Sequence, residues 1–194
     1  MDNKLTTTGL ILAGGTGRRV NGADKGTLLW QGKPLAAHVA SMLAPQVDEL
    51  LLSCNRNFDT YRQICTTLIT DIREDYQGPL AGLEATVAHL QSDYLVIVPC
   101  DNPELPGDLV ERLLYPHLNN HDGVLDISFV DDGERKQYLF AAIRCGCLSS
   151  LGPYLDSGQR AVRHWFNSLN TVAVDFSDQA ELFKNLNHLQ QFIE

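Results

Sequence analysis

The chain has 194 residues, 44% hydrophobic and 20% charged, the size and composition of one α/β domain with a substantial core. Its formal net charge of -9 argues against a general binder of nucleic acid or membrane surfaces, since both are anionic. No apolar run reaches the roughly 18 residues that span a bilayer, and the start, MDNKLTTTGLILAGG, lacks the cationic head and long apolar stretch of a secretory signal, so a cytoplasmic protein is expected.

The first apolar run, GLILA (9–13), reads as a buried strand. Gly14, Gly15 and Gly17 follow it, where backbone N–H groups can lie close to phosphate. Arg18, Arg19, Lys25 and Lys33 then form the local basic patch that an anionic ligand of so acidic a chain requires. A P-loop fails because Gly22 precedes Ala23, Asp24 and Lys25, and a dinucleotide fingerprint begun at Gly15 reaches Val20 instead of a third glycine.

Further apolar runs are ELLLSC (49–54), TTLITDI (66–72), YLVIVPC (94–100), LFAAIR (139–144) and TVAVDF (171–176). Several lack polar alternation, as strands covered on both faces should. Between them, PLAAHVASML places Leu35, Val39, Met42 and Leu43 on one helical face, and LAGLEATVAHL does so with Leu80, Leu83, Val87 and Leu90. PGDLVERLLYPHL aligns Leu109, Leu113 and Leu114. Strands alternating with helices imply a mostly parallel sheet between helices, with ligands beyond the strands' carboxyl ends. FVDDGERKQY (129–138) reads as a charged turn between two later strands, able to wall one side of the site.

YLVIVPC hands Asp101 to the same edge as the glycine loop. There it either holds Mg²⁺ together with a nucleotide's phosphates or caps the turn before Pro103; spacing leaves both open. Asp71, near another strand end, is either an acceptor for a base or ribose or a turn residue. The odd number of cysteines, five, reads as reduced thiols, and Cys145 with Cys147 is a lone C-x-C without a second pair for zinc.

LAGGTGRRVNGADKGTLLWQGKPL is similar to the L-A-G-G-x-x-x-R…D-K…G-K-P-L signature of nucleotidyltransferases with a GT-A-like fold. DYQGPLAGLEA, PCDNP, DGERKQYLFAAIR and the late NLN narrow the resemblance to the molybdenum cofactor guanylyltransferases, over residues 9 to about 192. It implies a single-domain, Rossmann-like three-layer α/β sandwich with a mostly parallel central sheet. Nucleotide would bind in about residues 8–105 and acceptor in 106–194. The implied reaction joins GMP from GTP to the terminal phosphate of molybdenum-molybdopterin with release of pyrophosphate.

Carried over by position, the resemblance gives Leu12, Ala13 and Gly14 main-chain contacts to the guanine nucleotide, Lys25 and Arg19 the phosphates, Asp71 the nucleoside and Asp101 the metal, Mg²⁺. Gly15, Gly78, Pro79 and Gly82 would shape the pocket, with Asn185 and Asn187 beside it. Val20, Asn21, Ser53, Tyr138 and His188 depart from the family pattern, and Ser53 keeps one hydrogen bond to the nucleoside where an amide would make two.

Arg135, Lys136, Arg160 and Arg163 are candidates for the pterin side, or ordinary solvated charges. The six scattered histidines are not needed, because a phosphate nucleophile is already ionised. The expected partners are GTP, the molybdopterin substrate and, transiently, molybdenum cofactor synthesis proteins and client molybdoenzymes, with no nucleic acid or membrane and a monomeric chain. Two alternatives differ in function: a related enzyme using CTP or a sugar-phosphate acceptor, and a GTP-binding partner without turnover.

Overall fold

The computed structural model describes residues 5–15, 23–75, 77–120 and 123–184. The chain opens with β1 (Thr7–Leu12), then a small hairpin of β2 (Leu29–Trp30) and β3 (Lys33–Pro34). Gln31 and Gly32 at its turn have φ of 48 and 76, the left-handed geometry that a two-residue hairpin demands. There follow α1 (Leu35–Leu43), β4 (Glu49–Ser53), α2 (Phe58–Arg62), β5 (Leu68–Ile69), α3 (Pro79–Thr86), β6 (Tyr94–Pro99) and α4 (Leu109–Asn119). The remainder is β7 (Ile127–Asp131), β8 (Lys136–Arg144), α5 (Leu151–Asp156), α6 (Val162–Phe166) and β9 (Thr171–Asp175).

Seven strands form one sheet in the order β5-β4-β1-β6-β8-β7-β9, parallel except for β8. Consecutive side chains of the apolar runs enter opposite cores: Leu10, Leu51 and Ile97 pack with α3, α5 and α6, whereas Ile11, Leu52 and Val98 pack with α1, α2 and α4. This is why the runs show no polar alternation. The result is a three-layer α/β sandwich with a mostly parallel sheet.

The reversed direction of β8 matters for the site. Tyr94 pairs with Arg144 and Ile97 with Ala141, so residues before Leu139 run past Pro99 and bring the β7–β8 turn to the carboxyl edge where Asp101 lies. Phe129, Val130 and Asp131 belong to β7, so the turn is shorter than the charged stretch suggests. Asp132 closes it, its Oδ1 accepting from the N–H groups of Glu134 and Arg135.

Two helical faces differ from the sequence pattern. Met42 is 39% exposed because α1 buries Ala36 and Ala40 beside Val39, which turns the stripe toward the alanines and Met42 to the rim. Val87 is 40% exposed because α3 ends at Thr86 and tightens into a 3-10 turn, losing the helical register of Leu80 and Leu83. All five cysteines are free, and Cys54, Cys65 and Cys100 are buried as their runs imply; burial pushes the Cys54 thiol up to about 11. Among the described residues, no helix is long and apolar enough to cross a membrane.

Candidate functional site

The ends of three neighbouring strands are tied together at the carboxyl edge. Ala13 N–H donates to the Ser53 carbonyl at 2.8 Å, and Cys100 N–H to the Leu12 carbonyl at 3.2 Å. Gly14 leaves this junction under a close neighbour: a Cβ there would lie 3.1 Å from Asn55 Nδ2. Gly15 is different, with no described atom within 4 Å of such a Cβ and no left-handed φ.

Lys25 starts a short 3-10 turn (Lys25–Thr27) that Asp24 caps. The Asp24 side chain is 3% exposed and fully engaged. Its Oδ1 accepts from Gly26 N–H (3.2 Å) and the Tyr61 hydroxyl (2.6 Å), its Oδ2 from Asn57 Nδ2 (2.9 Å). Asn57 holds a left-handed φ of 54 where the chain enters α2. Gly26 has no room for a side chain, since a Cβ would sit 2.5 Å from the Tyr61 hydroxyl oxygen. Burial, then the nearby Cys100 and Asp24, pushes the Tyr61 hydroxyl far up, which keeps it a donor. So fixed, Lys25 places Nζ 2.8 Å from Asp101 Oδ2, with side chains 20% and 12% exposed.

A second cluster stands at the ends of β4 and β5. Asn55 Nδ2 donates to Asp71 Oδ2 at 2.8 Å while its Oδ1 accepts from Asp71 N–H at 3.0 Å, so one amide sets the carboxylate's orientation. Burial raises the Asp71 pKa, with the Asn55 bond opposing it. Gly82 on α3 lies tight above: a Cβ would approach Ser53 Oγ to 2.4 Å and Asp71 Oδ1 to 3.3 Å. Gly78, before α3, has φ 88, a conformation that favours glycine.

The structure thus brings Leu12, Ala13, Gly14, Gly15, Lys25, Ser53, Asp71, Gly78, Gly82 and Asp101 to one edge of the sheet. Arg19, Asn185 and Asn187, with Gly17, Arg18, Val20, Asn21 and His188, lie outside the described residues. Ser53 is 1% exposed, and the amide on Asp71 comes from Asn55, two positions later. On the acceptor side, Arg135 is an exposed residue of the β7–β8 turn, and Lys136 Nζ lies 5.8 Å from the centre of the Phe129 ring. Arg160 donates from Nη1 to the carbonyls of Leu155 (2.7 Å) and Gln159 (2.6 Å), a capping role at the end of α5. Arg163 is exposed on α6, and Tyr138 stacks among Phe129 and Phe166.

Asp24, Asn55, Asn57 and Tyr61 are not among the candidate site residues that the sequence suggests. The available signal was the polar run Asn55-Arg56-Asn57 directly after a buried strand, at the edge where ligands bind. Asn102, next to Asp101, is fully buried, and neither of its amide atoms has a hydrogen-bond partner among the described residues.

As to a metal, no group of three or more His, Cys, Asp or Glu side chains converges among the described residues. Asp101 stands at the edge as a carboxylate beside Lys25. One carboxylate suits Mg²⁺, which keeps most of its shell for water and substrate phosphates, and does not suit a caged structural ion.

Residues 9–172 match the family model of the MobA-like NTP transferase domain. A molybdenum cofactor guanylyltransferase of Shewanella piezotolerans is 38% identical over 187 residues, 96% of this chain and 90% of that protein. One from Pasteurella multocida is 34% identical over 185 residues, 95% of this chain and 96% of that protein. Among solved structures, molybdopterin-guanine dinucleotide biosynthesis protein A from Archaeoglobus fulgidus superposes with a TM-score of 0.75 at 20% identity, covering 95% and 94% of the two chains. That likeness concerns the fold.

Proposed function

Because the chain belongs to the MobA-like NTP transferase family, we propose that it transfers GMP from GTP to the terminal phosphate of molybdenum-molybdopterin, giving the guanine dinucleotide cofactor and pyrophosphate. The observation that carries this reading at the level of chemistry is the Lys25–Asp101 pair, one cation and one anion at the edge between β1 and β6. In the reaction an oxygen of the acceptor phosphate forms a new bond to the α-phosphorus of GTP, and the bond from that phosphorus to the departing pyrophosphate breaks. The nucleophile is already ionised, so no side chain need remove a proton. The obstacle is the approach of one anion to another.

Lys25 offsets charge on the phosphates, and its position is held through Asp24. Asp101 would hold Mg²⁺, which supplies Lewis-acid charge stabilisation to the transferring and leaving groups when bound. Asp71, oriented by Asn55, would accept from the ring N–H and amino group of guanine, donors that adenine does not offer together. Gly14 and Gly15 let main chain approach the nucleotide. Residues 8–105 serve the nucleotide and 106–194 the acceptor, with Arg135 and Lys136 on the shared edge. Such a chain would act in the cytoplasm as a monomer, receiving acceptor from cofactor synthesis proteins and passing product to client molybdoenzymes.

A nucleotide panel with molybdopterin-loaded protein and Mg²⁺ tests this. GTP should release pyrophosphate and yield dinucleotide well ahead of CTP, ATP and UTP. Preference for CTP would move the chain to a related transferase, and GTP binding without any product would make it a binding partner.

A further inference from the structure

Arg56 follows Asn55 at the carboxyl end of β4, and its Nε lies 3.7 Å from Asp24 Oδ2. That is beyond hydrogen-bond reach, and the Asp24 oxygens already accept from Gly26, Tyr61 and Asn57 at shorter distances. Nε and Nη2 of Arg56 are covered, yet they have no acceptor among the described residues. Unmet charged donors are costly and call for an explanation.

A structural arginine in this same chain looks different. Arg73 grips Glu84 with two bonds of 2.6 and 2.7 Å and adds Asp156 at 2.7 Å. Arg56 has a counter-charge without a grip: Asp24 steadies its position and leaves its fork of donors unused. The side chain is 35% exposed although Nε and Nη2 are covered, so those donors meet a ligand when the long arm pivots toward the open side. On one side its neighbour Asn55 holds Asp71; on the other its counter-ion Asp24 fixes Lys25, which meets Asp101.

We infer that Arg56 is a further phosphate-binding residue of this site, its forked donors completed by phosphate oxygens of a bound substrate. The planar guanidinium matches that chemistry better than an ammonium. Two substrates of the reaction carry such oxygens, the nucleotide's polyphosphate and the acceptor's terminal phosphate. The inference rests on the nucleotidyl-transfer reading above.

The test uses the full chain with Arg56→Gln and Arg56→Lys. Calorimetric titrations with GTP, GMP and inorganic pyrophosphate, each with Mg²⁺, are combined with the KM for the molybdopterin acceptor and thermal melts. If the polyphosphate is the ligand, Arg56→Gln weakens GTP and pyrophosphate about tenfold or more and leaves GMP nearly unchanged. If the acceptor phosphate is the ligand, nucleotide affinities hold and the acceptor KM rises by a similar factor. Arg56→Lys should recover part of the loss in either case, and it carries the comparison should the glutamine variant fail to fold. Affinities and KM equal to wild type in both variants would overturn the inference, whether or not the melting temperature falls. A wild-type chain that binds neither GTP nor acceptor overturns the transfer reading instead, and the pyrophosphate titration still decides for Arg56.

Discussion

Lys25 Nζ stands 2.8 Å from Asp101 Oδ2, a contact across 76 residues of sequence that joins the segment after the glycine loop to the end of β6. Lys25 sits in a capped turn and Asp101 two residues past the end of a buried strand. Asp101→Asn and Lys25→Ala should therefore keep the fold and melt cooperatively. Both should lose kcat/KM by an amount equivalent to about 2 kcal/mol or more, the scale of removing an electrostatic group from a transition state. Steady-state kinetics beside calorimetric melts checks this; variants that unfold at much lower temperature would assign the pair to stability.

The carboxylate beneath Lys25 makes a different prediction. Asp24→Asn leaves one acceptor oxygen where two served the Gly26, Tyr61 and Asn57 donors, and the new NH₂ must face at least one of them. The expected loss is about 1–3 kcal/mol of stability in denaturant unfolding. Tyr61→Phe removes one donor and leaves the carboxylate's other partners, so it should cost less. In both variants kcat should fall more than nucleotide affinity, because the Lys25 turn loosens without losing its charge.

The carboxylates also set opposing pH dependences. Asp132 is buried, which by itself would raise its pKa, but bonds from Gln137 and from the N–H groups of Arg135 and Glu134 bring it below the usual value. Its folded pKa is depressed, so its stabilisation is present above the unfolded pKa of about 3.9 and is lost as pH falls through the folded value. Asp71 is raised by burial, so its contribution favours the folded state below about pH 3.9 and is lost as pH rises through its folded pKa. Unfolding of Asp132→Asn should show a loss at pH 7 that shrinks below about pH 4. Asp71→Asn should remove this pH dependence of stability while abolishing preference for GTP. A Asp132→Asn loss constant across that range would contradict the assignment.

The doubly covered strands were legible because burial on both faces removes polar alternation, and so were Lys25, in the basic patch after the glycine loop, and Asp101, behind a buried strand. The three-layer arrangement followed from the alternation of strands with helical stripes. The Asp24 network was not legible. Its members come from a capping turn and from a five-residue helix entered through a left-handed Asn57, and no local period links Asp24 to Tyr61 across 37 positions. Asn55 was hidden in the same way, since its bond to Asp71 exists only once β4 and β5 lie side by side. Met42 and Val87 show the complementary failure, where a correct helical period does not reveal which side of the stripe the sheet covers or where the helix tightens.

The glycines at this edge separate three physical reasons for having no side chain. Gly78 has φ 88, so Gly78→Ala should lose about 1 kcal/mol or more of stability through backbone strain. Gly82→Ala should be destabilised by crowding, because its Cβ would lie 2.4 Å from the oxygen of the buried Ser53 and would press on Asp71. Gly15 has neither constraint among the described residues. If it is glycine so that main chain can lie against phosphate, Gly15→Leu leaves the ligand-free melting temperature nearly unchanged and removes the increment that GTP with Mg²⁺ gives the wild type by mass action. Melts with and without nucleotide read both quantities at once. A Gly15→Leu chain that still gains the wild-type increment would show that this loop does not carry the phosphates.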